Sequence, residues 1–213
     1  SSLDFFNSKG FTILFFQMPL RGDNPGLLNN RKRIVKDHEL LIRFNTKQKS
    51  FLSHFITPVV LGLDHVLKND NFVSISMTGI SGGGWTTVLT SAIDKRINYS
   101  FPVSGSLPLS LRTYDNGDIE NFYFPFYKEY PYLDLYLLAS TGKRRKHMQI
   151  NILNDPLSYS GRRSELYKDY LSRVSKSFNG QFLAKIINFD KHLYNYQIHN
   201  LIYKNIEKWD DLY

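Results

Sequence analysis

The stretch TGISGGGWTT, residues 78 to 87, sets one serine among four glycines, Gly79, Gly82, Gly83 and Gly84. Glycine costs roughly 0.5–1 kcal/mol wherever another residue could hold the backbone. A cluster this dense marks a turn too tight for side chains, or a place where something must approach the backbone closely. NFVSISM, residues 71 to 77, precedes it and reads as a strand. WTTVLTSAI follows and reads as a buried helix. The chain must therefore pass from strand to helix through Ser81 with almost no loop, which leaves few architectures open.

The rest of the sequence repeats that alternation. FTILFFQMP, Phe11 to Pro19, is a continuous apolar run stopped by proline, the pattern of a strand covered on both faces. LRGDNPGLLNNRKR reads as a loop, and Phe51 to Leu67 carries apolar residues at helical spacing, with Pro58 at a kink or in the first turn of a second segment. Further strands are expected at Tyr99–Gly105, Met148–Asp155 and over QFLAKIINF, and helices at Tyr132–Ala139, over SELYKDYLSRVSK, and from about Tyr194 to Trp209. Strands alternating with helices imply βαβ units around a mostly parallel sheet with helices on both faces. The absence of repeats and linkers predicts one domain over residues 1–213. A small cap-like insertion is expected around 106–140, where the aromatic segment Phe122 to Tyr136 offers core packing or an apolar, sugar-stacking wall.

Composition narrows the function classes. The 213 residues are 42% hydrophobic and 22% charged, which suits a globular domain with a real core. No apolar run approaches the ~18 residues of a membrane span. The start, SSLDFFNSKG, lacks a basic region followed by a long apolar stretch, so no signal peptide is read there; this leans to the cytoplasm without fixing a compartment. With no cysteine, disulfides, thiolate metal sites and a cysteine nucleophile are excluded. The net charge of +8 raises the question of nucleic acid, but the densest run, Lys143 to His147, has no aromatic platform around it and is expected to be a solvated loop. No nucleic acid partner is expected.

A Gly-x-Ser-x-Gly turn between strand and helix fits a nucleophile elbow. There the serine hydroxyl is exposed at a helix N-terminus, and the amide of the next residue, here Gly82, is free to hold an oxyanion. The competing reading is a glycine-rich turn or phosphate nest; a Walker-type loop is excluded, because no Gly-Lys-Ser/Thr follows. On an elbow scaffold the acid and then the base come later in the chain. Asp155 ends the penultimate strand, where ligands meet parallel sheets, although Asn-Asp-Pro is also a common turn. For the base, the loop after the last strand offers His192, with His199 seven residues on as an alternative; a site with no working base is the third reading. His192 is preferred by position, since His199 falls in the terminal helix. His54 and His65 are expected at the helix surface. No His, Asp or Glu cluster has metal-ligand spacing, and no cofactor is implied.

MTGISGGGWTTVLTSAIDKRINYSFPVSGSLPLSLR, with MPLRGDNPG before it and GDIENFY, YLDLYLLAS and QINILND after it, resembles the bacterial α/β-hydrolases related to dienelactone hydrolases and carbohydrate-ester esterases. The resemblance implies an α/β-hydrolase fold, Ser81 as nucleophile, Asp155 as triad acid and Gly82 as oxyanion donor. The resemblance supplies no substrate; a small-molecule or carbohydrate ester is the class expected. It also places strands and an oxyanion loop ahead of the element that Phe11–Pro19 matches. Only ten residues stand there, so weak activity and either self-association or a longer N-terminal segment are expected. In the family's histidine register this chain has Tyr196, a poor base at a phenol pKa near ~10. His38 matches another recurrent histidine and is expected to be a loop or packing residue.

Overall fold

The computed structural model describes every residue except 25, 29–33, 36, 113–116, 158, 212 and 213. A short helix α1 (Ser2–Asn7), capped by Ser1, opens the chain. A two-residue antiparallel ladder follows between β1 (Leu27–Leu28), inside the segment expected to be loop, and β2 (Ile34–Val35), just past its end. After a 3-10 helix at His38–Phe44 comes α2 (Ser53–Asn69), a single helix with Pro58 inside it rather than two segments. The βα core then runs β3 (Ser76–Ile80), α3 (Gly82–Ile93), β4 (Tyr99–Val103), α4 (Phe124–Tyr127), α5 (Tyr132–Ser140), β5 (Lys146–Ile152), α6 (Lys168–Ser177), β6 (Gln181–Ile187) and α7 (Tyr196–Asp210).

Strands β3, β4, β5 and β6 form one parallel sheet in that order, so the sheet is built from successive crossovers. Side chains alternate across it, as a period of two requires. Tyr99, Phe101 and Val103 of β4 and Met148, Ile150 and Ile152 of β5 face α7, packing on Ile198, Ile202, Ile206 and Trp209. On the opposite face, Trp85, Val88 and Leu89 of α3 pack with Phe55 of α2, Leu135 and Tyr136 of α5, Leu171 of α6 and Phe182 of β6. The expected parallel α/β sheet with helices on both faces is therefore the observed one. Among the described residues no helix is long and apolar enough to cross a membrane.

Phe11–Pro19 is not a strand. It belongs to no helix or strand, and among the described residues it has no ladder partner. Leu14 and Phe16 lie against Gly62 of α2 instead, where a Cβ would stand 2.5 Å from the Phe16 ring. The apolar run is not buried either: residues 12–16 are exposed, Phe15 at 61%, and only the contacts with α2 and the half-buried Phe11, Gln17, Met18 and Pro19 attach it to the fold. The strand expected from Asn71 begins only at Ser76, and Phe72 and Val73 are exposed. Over SELYKDYLSRVSK the first turn is 3-10, at Arg163–Leu166, before α6.

The basic run at Lys143–His147 is not a solvated loop. Arg145, Lys146 and His147 are buried, and β5 starts at Lys146. Each cation finds a neutral host. Arg145 donates to the carbonyls of Ser91 and Ala139, and the Lys146 ammonium lies 5.0 Å from the Trp209 ring centroid. His147 packs in a triangle of rings with Tyr136 and Phe182, at 5.6 and 5.8 Å between centroids, with those two 6.0 Å apart, and puts Nδ1 2.7 Å from Ser100 Oγ.

Burial, and then the nearby Arg145 charge, push the His147 imidazole down to about 3. An unfolded chain protonates the same ring near 6.5. The unfolded state thus binds the additional proton, and stability falls as pH drops from about 6.5 toward 3, by up to roughly 1.4 kcal/mol per pH unit from this group. Urea unfolding at pH 7.5 and 5.0 should show a larger loss for the wild type than for His147→Gln; equal losses would remove His147 as the cause.

Candidate active site

Ser81 stands between β3 and α3 with φ 56° and ψ −124°, a backbone conformation that a residue with a side chain rarely adopts. Two backbone bonds hold it: the Ser81 amide donates to the Val103 carbonyl at 3.0 Å, and the Ser81 carbonyl accepts from Trp85 at 2.9 Å. The glycines explain themselves by distance. A Cβ on Gly79 would stand 2.5 Å from the Gly83 carbonyl carbon, and one on Gly105 2.5 Å from the Ser81 oxygen. Both lie under the 3.0 Å that real Cβ contacts respect, so strand, turn and helix meet only because these side chains are missing. A Cβ on Gly82 would overlap the Met18 sulfur, so the Met18 thioether rests directly on Gly82.

Asp155 and His192 meet at the same edge of the sheet. Ile80 is paired with Val103, Val103 with Ile150, and Ile152 with Ile187, which puts Ser81, Asp155 and His192 beyond the C-terminal ends of β3, β5 and β6. His192 Nδ1 lies 2.8 Å from Asp155 Oδ2, and Asp155 Oδ1 accepts the Leu157 amide at 2.9 Å. The Asp155 carboxyl is fully buried, and burial alone would raise its pKa. The hydrogen bonds from His192 and the Leu157 amide, with the His192 charge and Ser104, outweigh burial and hold it below the ordinary carboxylate value. An ionised Asp155 accepting at Nδ1 fixes the tautomer that leaves Nε2 as the acceptor. That Nε2 atom is buried and has no hydrogen-bond partner among the described residues, Ser81 included.

His199 is elsewhere. It lies on α7, stacks on Phe5 at 5.0 Å, and puts Nε2 2.9 Å from Ser2 Oγ, which ties α7 to α1. Tyr196, in the register the resemblance gives to histidine, is 67% exposed. His65 is exposed, whereas His54 is half-buried against Phe44 rather than on the surface.

His38 is more than a loop residue. It opens the 3-10 helix and is buried, with Nε2 donating to the Pro19 carbonyl at 2.9 Å and Nδ1 2.9 Å from Glu120 Oε1. Asp118 lies 3.4 Å from the same nitrogen and also pairs with Arg21 at 3.0 Å. His38, Asp118 and Glu120 form the group that could hold a metal ion among the described residues. Their separation in sequence, 38 against 118 and 120, hid them from any reading by spacing. An imidazolium and a guanidinium against two carboxylates also balance in charge without an ion. Burial lowers the His38 pKa, but the hydrogen bond and charge of Glu120, with Asp118, overcome it and raise it; the Glu120 carboxyl is raised chiefly by burial.

No protein-family model and no curated protein matches the sequence. Solved structures do match it in shape. Methylesterase BT1017 is similar with a TM-score of 0.55 and 21% identity, over 70% of this chain and 33% of that one. An acylaminoacyl peptidase in complex with Z-Gly-Gly-Phe-chloromethyl ketone gives 0.51 and 14%, over 76% and 30%. The orthorhombic form of the Pyrococcus horikoshii acylaminoacyl peptidase gives 0.52 and 15%, over 75% and 28%. This chain thus spans a third or less of the proteins it resembles. At such identities the likeness is one of architecture, and it agrees with the parallel sheet flanked by helices: the chain has the α/β-hydrolase fold.

Proposed function

We propose that this protein is a serine-dependent hydrolase of carboxylic esters, acting on a small-molecule or carbohydrate ester. Ser81 Oγ attacks the carbonyl carbon while His192 Nε2 takes its proton, and the negative oxygen that forms accepts from the Gly82 amide. The imidazolium then protonates the departing alkoxide, leaving an acyl-Ser81 ester. A water molecule, deprotonated by the same nitrogen, hydrolyses that ester. Asp155 keeps His192 in the working tautomer and stabilises its charged form. His38, Asp118 and Glu120 take no part in these steps, and neither a metal nor an organic cofactor enters them.

The observation that carries this reading is the Asp155–His192 hydrogen bond, with Nε2 left as a free acceptor on the sheet edge that also holds the strained Ser81. In this reading residues 1–213 act as one domain, and 106–140 is its cap-like part. Most of the aromatic segment there is core, with Tyr127, Tyr132 and Tyr136 buried, while Phe124 and Tyr130 are exposed and available to stack on a sugar.

One observation favours a second reading, a catalytically degenerate domain used for binding or assembly. His192 Nε2 is not hydrogen-bonded to Ser81. Free enzymes often close that bond only around substrate, so the two readings differ in activity and not in architecture.

A fluorophosphonate probe should label the wild type at Ser81 and leave Ser81→Ala unlabelled; no labelling of either selects the degenerate reading. With p-nitrophenyl acetate, His192→Ala should fall about 10²–10⁴-fold toward the Ser81→Ala blank, and His199→Ala should keep its turnover. Loss in His199→Ala alone would move the base to His199.

A further inference from the structure

Met18 is the side chain that touches the residue next to the nucleophile, and the chain fixes it with care. Asn24 Nδ2 donates to the carbonyls of both Gln17 and Met18, at 3.0 Å each. The Pro19 carbonyl accepts from the buried His38, which Glu120 holds from the other side. Leu20 then takes φ 59°, a left-handed conformation costly for a residue with a branched side chain. Such strain persists only where surroundings over-determine it, and here a local side chain, Asn24, and one from the 3-10 helix, His38, hold the preceding carbonyls. The product of this bracing is a thioether seated on Gly82.

Gly82 supplies the amide that faces the developing oxyanion. In the proposed reaction the substrate carbonyl would sit at that amide, so a side chain packed on the Gly82 α-carbon stands close to the reacting group. We propose that Met18 sets the size of the acyl group, confining the site to short acyl esters such as acetate. The inference rests on the serine-hydrolase reading above and adds its specificity. Met18 is half-buried and packs against the apolar cluster beneath α2 and α3, so its side chain is a wall with a firm back. Three unbranched torsions make that wall deformable, so longer acyl groups are disfavoured rather than barred. His38 and Glu120 are positioning residues for it: they act on the Pro19 carbonyl and never meet substrate.

The test compares kcat/KM for p-nitrophenyl acetate and octanoate, with fluorophosphonates bearing a methyl or an octyl group on phosphorus as a second readout. Met18→Ala should raise the octanoate-to-acetate ratio about tenfold, the discrimination expected when an apolar wall gains or loses a few heavy atoms. Met18→Leu, which conserves volume, should stay within about twofold of the wild type. The octyl probe should label Ser81 faster in Met18→Ala than in the wild type, and the methyl probe equally in both. If Met18→Ala loses its cooperative thermal transition, Met18→Val decides by a smaller rise in the same ratio. An unchanged ratio in a folded variant whose Ser81 still labels and turns over overturns the role of Met18. If neither probe labels Ser81 in the wild type, the serine-hydrolase reading itself fails and this inference falls with it.

Discussion

The arrangement at the sheet's C-terminal edge depends on how closely the start of α3 approaches β4. The Ser81 amide donates to Val103, and Gly105 leaves room beneath Ser81 that any side chain would fill. That contact locks a serine into a conformation worth of order 1–3 kcal/mol in strain. It also begins the helix one residue after Ser81, so the Gly82 amide is among the first, intrahelically unsatisfied donors of α3. The parallel ladder does the remaining positioning. Once β3, β4, β5 and β6 are in register, the loops that leave β5 and β6 emerge on the edge where Ser81 stands, and Asp155 needs no long loop to reach His192.

The sequence was most legible where one local signal had one physical cause. The glycines around Ser81 promise steric closeness, and the structure contains it at Gly79, Gly82 and Gly84, whereas a Cβ on Gly83 would meet open space. Alternating strand and helix patterns gave the parallel sheet, because period and burial agree over β4, β5 and β6. Position in the chain separates the two histidines: His192 stands in the loop after β6 beside Asp155, while the first turn of α7 carries the His199 ring to α1 and Ser2. Where one signal had two causes, the reading failed. The apolar run Phe11–Pro19 has strand-like hydrophobicity, yet its partners are α2, the turn of Gly82 and the cluster beside α7. The cations at 143–147 looked hydrated because hydration is the usual fate of charge, and no pattern in the sequence announces the carbonyls and aromatic rings that receive Arg145 and Lys146. The His38–Glu120 pair joins residues 82 apart in the chain, which no spacing rule can find.

The inner sheet face is unusual in its chemistry. Three residues of β5, His147, Gln149 and Asn151, point polar groups into the interior where aliphatic ones would serve. Gln149 is satisfied by the hydroxyls of Tyr136 and Tyr167 and by the Ser106 carbonyl. These bonds tie α5, the start of α6 and the segment after β4 to one strand by direction rather than by oil-like contact, and a directional core tolerates fewer alternative packings. Tyrosine is well suited to such a layer, supplying apolar area and a polar tip on one rigid ring.

The bond from Ser81 to Val103 also bears on the order in which the molecule can be assembled. Strand β3 and helix α3 are contiguous, and a chain can form them early at little cost in loop entropy. The acceptor for Ser81 lies 22 residues later on β4, beyond the whole of α3. Until that crossover closes, nothing repays the left-handed backbone of Ser81, and the turn is free to relax into an ordinary helix start. The strained turn at Ser81 therefore has its backbone acceptor only once the sheet has grown by its second strand.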